Sequence, residues 1–240
     1  GHVLQFTYTL LMLVAWLWLA SASGVGLSLS PRVALIFFGF GLIAVFLTPI
    51  IYYSYPVTSV EHIKLFTWLM QYGGSLAALP LSLALVHGLW RAGRAPDEAQ
   101  PLRAALLASM ILFGAGGVIG FLITGTNVTI PAHYHGSIVG VTLAFMGLTY
   151  YLLPRLGYRR PDVKLARLQP YLYGGGQLLH VLGLVISGGY GVQRKVAGAA
   201  QALDTAERVA GMGLMGLGGL ISIAGGFLFI YVCYRAMREP

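Results

Sequence analysis

The sequence predicts an all-α fold: a polytopic membrane helix bundle of about seven transmembrane helices, forming a single transmembrane domain over residues 1–240. Hydrophobic residues make up 57% of the chain and charged ones 9%, with a mean hydropathy of +0.77. That leaves too few polar groups to clothe a water-soluble domain of this size. The apolar residues also fall into uninterrupted runs of about 20, the length that crosses a hydrocarbon core as a helix.

The runs cover roughly 3–23, 33–53, 63–90, 104–126, 133–153, 170–190 and 210–234. Run one opens at Gly1-His2-Val3, already apolar, with no initiator Met and no signal peptide, as expected of part of a longer polypeptide. Run two ends at Tyr52-Tyr53. The polar stretch Ser59-Val60-Glu61-His62-Ile63-Lys64 leads into run three, which holds Gly73-Gly74 and ends near His87. Run four carries Gly114, Gly116, Gly117 and Gly120. Run five follows the polar turn Asn127-Val128-Thr129-Ile130-Pro131, with Pro131 where a helix tolerates it, near the first turn. Run six contains Gly174 to Gly176, and run seven is Gly-rich from Gly211 to Gly226. Glycines inside apolar runs let helices, or a flat cofactor, approach closely. The connections are short and hide no soluble domain. The single cysteine, Cys233, excludes an intrachain disulfide and a thiolate cluster.

Lys and Arg set the orientation. Alternate loops divide the 15 cations into eleven and four. The larger set is Arg32; Arg91, Arg94 and Arg103; Arg155, Arg159, Arg160, Lys164 and Arg167; and Arg235 with Arg238. It is expected to face the cytoplasm, which places the chain as a multi-pass protein of the cell inner membrane. The net charge of +8 then reflects topology and a lipid bilayer partner, not nucleic acid. His2, His133, His135 and the Gly191-Val192-Gln193-Arg194-Lys195 loop all fall in the outer half.

The strongest motif is Pro131-Ala132-His133-Tyr134-His135-Gly136-Ser137. Residues two apart on a helix point about 200° apart around its axis. His133 and His135 therefore offer imidazoles to different partners on opposite faces. In a membrane helix, the partner that best offsets a buried neutral imidazole is a metal, most often haem iron. The alternative is a pair of packing histidines near the membrane surface. Arg194 and Lys195 could hold haem propionates by charge-assisted hydrogen bonds, or be solvated loop charges or lipid-headgroup contacts. His2 could ligate a metal from run one or sit exposed at the chain start. His62 reads as a solvated helix start, and His87 as a residue that snorkels to the inner interface. The runs hold almost no carboxylates, which argues against a carboxylate-lined ion pump.

Run five, with His133-Tyr134-His135, Gly140, Phe145-Met146-Gly147 and Tyr150-Tyr151-Leu152-Leu153-Pro154, resembles the tenth helix of subunit I of the haem–copper oxidases and nitric oxide reductases. Run six, His180-Val181-Leu182-Gly183-Leu184 leading to Arg194-Lys195, resembles the eleventh helix and its propionate-binding loop. Gly1-His2-Val3 resembles the opening of the sixth. The seven runs thus correspond to helices six to twelve, a C-terminal half. The resemblance implies that His133 binds a high-spin haem and His135 a low-spin haem. It implies that Arg194 and Lys195 hold propionates, that His180 lies among the cofactor-binding residues, and that His2 binds a second metal, copper or non-haem iron. Tyr8, Tyr52 and Tyr53 are the candidates for the catalytic tyrosine of the oxygen-reducing families. One departure is plain: Tyr52-Tyr53-Ser54-Tyr55 stands where the family carries an adjacent His-His pair.

The expected function is reduction of O2 to water, or of a nitrogen oxide, with electrons passing from the low-spin to the high-spin haem. Cytochrome c or quinol is the expected donor. Other membrane subunits or an N-terminal half are the expected partners. The alternative is a haem-binding electron-transfer or structural subunit that lacks the catalytic copper.

Overall fold

The computed structural model of the chain describes residues 1–238. These form nine α-helices with short 3-10 and π turns and no β-strand; one isolated antiparallel bridge joins Asn127 and Gln193. Six helical segments are long and apolar enough to cross a membrane: His2–Ala22, Pro31–Ser54, Val60–Arg91, Asp97–Phe121, Thr129–Leu156 and Ala206–Arg238. The protein is a multi-pass helical membrane protein. The expected run 170–190 forms a 27-residue helix, Val163–Gly189, that is not among the six. Gln177, His180, Tyr171 and Tyr173 lower its hydropathy.

The chain packs as two compact units, Gly1–Ala95 and Pro96–Pro240. In the first, α1 (His2–Ala22) buries Phe6, Thr9, Met12, Leu13, Trp16, Leu19 and Ala20, a single stripe at helical spacing. It stops at Gly24, whose φ of 79° is open to glycine at little cost. Ser30 caps α2 (Pro31–Val45) by accepting from Val33 N–H at 3.3 Å, with Pro31 in the first turn. The expected unbroken run 33–53 is divided here. Helix α2 ends before Phe46, and α3 (Thr48–Ser54) restarts with Pro49 in its first turn. Pro49 lacks an N–H and disfavours helical geometry in the residue before it. Ser59 caps α4 (Val60–Trp68), accepting from His62 N–H at 3.2 Å. A π turn, Leu69–Gly73, joins α4 to α5 (Ser75–Arg91). Gly73 lets α2 pack close, because a Cβ there would lie 2.8 Å from Ala44 Cβ.

The second unit comprises α6 (Gln100–Phe121), α7 (Thr129–Leu152), α8 (Val163–Gly189) and α9 (Ala206–Arg238). Helices α6 and α7 meet backbone to backbone: a Cβ on Gly136 would lie 2.7 Å from Gly116 Cα, and Ser109 Oγ donates to Gly140 O at 2.6 Å. Helices α8 and α9 meet along a seam of glycines seven residues apart, Gly176 and Gly183 against Gly211, Gly218 and Gly225. Small residues at this period keep two apolar helices in contact where lipid offers no hydrophobic drive. Gln169 is fully buried and ties three helices together. Its Oε1 accepts from Tyr150 OH on α7 at 3.2 Å, and its Nε2 donates to Gly225 O on α9 at 3.3 Å.

The unit's ends differ in charge, as the loop count required. One end holds Arg103, Arg155, Arg159, Arg160, Lys164, Arg167, Arg235 and Arg238, with Arg160 paired to Glu98 and Arg167 bonded to Gln100. The other holds Arg194, Lys195 and Arg208. Arg155, Arg235 and Arg238 each sit over a tyrosine four residues earlier, Tyr151, Tyr231 and Tyr234. Such pairs suit a lipid–water interface.

Candidate functional site

Asn127 Oδ1 accepts from Thr129 N–H at 2.9 Å and starts α7 four residues before the expected position. His133 and His135 therefore lie inside the second turn, not at the helix head. Both are half-buried. They project toward different helices, as two-residue spacing requires.

His133 faces α6. Its Nδ1 is 2.7 Å from Gly116 O. A carbonyl can only accept, so Nδ1 carries the proton and Nε2 keeps its lone pair. Gly120 makes room for the ring: a Cβ there would lie 2.8 Å from both Nδ1 and Cε1. This is how a metal-binding imidazole is usually oriented, with one nitrogen tied to a carbonyl and the other free to coordinate.

His135 faces α8. Its ring packs on that of His180, with centroids 4.4 Å apart and planes at 52°. The His135 imidazole also interacts with the Gln177 side chain. His180 is anchored in turn, its Nδ1 donating to Met215 O on α9 at 2.9 Å. The structure thus joins His135 and His180, both singled out by sequence, with Gln177, which was not.

The basic loop is pinned beside the start of α7. Val128 N–H donates to Val192 O at 3.0 Å, and Val192 N–H to Ser187 O at 3.0 Å. Gly188 allows this closeness, since a Cβ there would overlap Thr129. Arg194 is half-buried and Lys195 exposed, with Lys195 in the left-handed region at φ 61°. Neither makes an ion pair or hydrogen bond among the described residues, so both are available to an anionic group at this end of the unit.

In the first unit a cavity of about 210 Å³ is lined by Gly1, His2, Val3, Tyr52, His62, Ile63 and Phe66. His2 and Tyr52, both singled out in the sequence, line this one cavity. The expectation of a solvated His62 is overturned: it is 6% exposed, packs edge-on against Tyr52 at 5.0 Å, and directs Nδ1 to Tyr55 O at 3.2 Å. The signal lay in the spacing. His62, Phe66 and Leu69 recur at i, i+4 and i+7, and all three are buried. Tyr53 is 93% exposed, and Tyr8 is not among the residues that line the cavity. Tyr53 points out because one residue along a helix turns the side chain by about 100° from Tyr52. His87 is exposed beside Trp90 at the end of α5, as an interfacial histidine should be.

Among the described residues, no three His, Cys, Asp or Glu side chains converge on one point.

No protein-family model matches the chain. Residues covering 57% of it are 39% identical, over 147 residues, to an uncharacterised protein of Rickettsia prowazekii (strain Madrid E). A stretch of 87 residues, 36% of the chain, is 31% identical to an uncharacterised protein of Aquifex aeolicus (strain VF5). The matched stretches span 28% and 22% of those relatives' own lengths, so each match covers well under half of the relative.

Proposed function

We propose that the chain is the haem-bearing part of a respiratory membrane oxidoreductase, with His133 the ligand of a high-spin haem and His135 that of a low-spin haem. The observation that carries this is the His133 Nδ1 bond to Gly116 O at 2.7 Å, beside a glycine that leaves the ring its space. It selects the tautomer whose Nε2 can coordinate. When bound, the haem irons supply one-electron transfer and, at the high-spin centre, coordination of O2 or NO. The chain's own part is to orient the two imidazoles on opposite sides of α7 and to offer Arg194 and Lys195 to the propionates. In this reading α8 is the seventh membrane span and the Arg-rich ends face the cytoplasm. The membrane is the cell inner membrane, other membrane subunits complete the bundle, and cytochrome c or quinol supplies electrons.

A second reading is favoured by the cavity of the first unit. It offers two imidazoles, His2 and His62, and the phenol of Tyr52, where the oxidases use three imidazoles for their second metal. Copper depends on imidazole donors for tight binding. A subunit that transfers electrons without reducing O2 fits this donor set.

The visible spectrum of the purified protein, oxidised and reduced, with and without CO, tests both readings together with a metal count. A low-spin band plus a CO-sensitive haem, with copper or extra iron, supports the oxidoreductase. Two haems without CO binding or a second metal support electron transfer. Absence of haem overturns both.

A further inference from the structure

We propose that Gln177 and His180 are positioning residues for the His135 imidazole, and that neither coordinates a cofactor itself. The inference rests on the haem reading of His135.

His180 is held at both ends. A Cβ on Gly218 would overlap the His180 backbone N and Cα, so α9 braces the main chain of α8 at this residue by direct backbone contact. The far end of the side chain is tied by the Nδ1 bond to Met215 O at 2.9 Å. The ring between these points is a fixed wall, and His135 packs on it at 4.4 Å between centroids. Gln177 lies one turn earlier on the same side of α8. Its side chain lies within reach of the His135 imidazole, and its Oε1 is buried without a hydrogen-bond partner. An imidazole that gives one nitrogen to iron places its other N–H on an acceptor, which fixes the ring and raises its basicity. Gln177 Oε1 is the acceptor at hand. The two residues then act differently: His180 sets the plane of the ring, and Gln177 sets how strongly it donates to iron. Stronger donation favours the ferric state and lowers the reduction potential.

The test is a redox titration with EPR on the purified, haem-loaded protein and on the variants Q177L, Q177E, H180F and H180Q. Q177L is expected to raise the midpoint potential of the low-spin haem and leave the high-spin haem unmoved. Q177E, which keeps the acceptor oxygen, is expected at or below the wild-type potential. H180F keeps a ring against His135 but loses the Met215 bond, so the low-spin g-values are expected to shift. H180Q, which can still donate to Met215 O, is expected to restore them in part. A purely structural role would leave potential and g-values alone wherever haem is retained. Wild-type values in both Q177L and H180F, in protein with normal haem content, overturn the proposal and leave the haem reading standing. Should either variant lose the low-spin haem outright, its return in Q177E or H180Q supports the proposal, and failure to return overturns it. A wild-type protein without haem overturns the proposal and the haem reading together.

Discussion

The imidazole of His133 donates from Nδ1 to the carbonyl of Gly116 across the α6–α7 contact at 2.7 Å, and Gly120, one turn along α6, faces the same ring. The Gly120→Ala variant tests this arrangement cleanly. Gly120 lies in the last turn of α6 and is not among the glycines with positive φ, so the backbone there accepts alanine and folding should survive. The new Cβ would press on Nδ1 and Cε1 at 2.8 Å and turn the ring from its acceptor. Loss of such an orienting bond typically costs about 10–100-fold in metal affinity or activity. CO binding to the reduced protein should fall by that order, while the low-spin band persists.

Gln169 joins α7, α8 and α9 through bonds to Tyr150 and Gly225. Replacing it with leucine leaves the buried Tyr150 hydroxyl without its acceptor. An unmet buried group costs about 1–3 kcal/mol. The Gln169→Leu variant should therefore unfold at a lower temperature in detergent. Tyr150→Phe, which removes the donor instead, should shift the midpoint less.

His62 is packed between Tyr52 and Phe66, with ring centroids 5.0 and 4.8 Å away. Phenylalanine keeps those ring contacts and removes both nitrogens. If His62 helps hold a second metal, His62→Phe lowers copper or non-haem iron content by about tenfold or more, since loss of a residue that merely supports a ligand already costs about 10–100-fold. Haem content stays constant. Unchanged metal content would remove His62 from the ligand set.

Arg208 clasps the loop before α9, donating to Tyr190 O and Ala202 O, each at 2.8 Å, and to Asp204 at 2.5 Å. It braces Ala202, whose φ of 49° is unfavourable for a residue with a Cβ. The Arg208→Gln variant should loosen the loop, and trypsin should cut after Lys195 several-fold faster than in the wild type. Spectra of the haem-loaded protein should change little, because the clasp touches neither His133 nor His135.

Much of this was legible in the chain. The two-residue spacing of His133 and His135 requires divergent imidazoles on any α-helix, and they do meet different helices. The distribution of Lys and Arg anticipated which ends of α6 to α9 share a charge. His62 was misjudged because its polar neighbours Ser59, Glu61 and Lys64 dominate a short reading, whereas its burial depends on a stripe that continues to Leu69. Tyr53 could not be told from Tyr52 by composition. Only the start of α3, set by Pro49, decides which of them lines the cavity.

Sequence by itself determined that the protein is helical and crosses a membrane repeatedly, because apolar content and run length depend on residue identity and not on neighbours. It also determined that the histidine pair diverges, because helix geometry is local. Tertiary structure decided which nitrogen of each histidine is held and by what. Gly116 O lies 17 residues from His133, and Met215 O lies 35 from His180. Such partners are chosen when helices pack at glycine contacts whose register no local pattern states. The same packing brought Gln177 to His135 and His62 to His2, two encounters with no trace in the spacing of either residue.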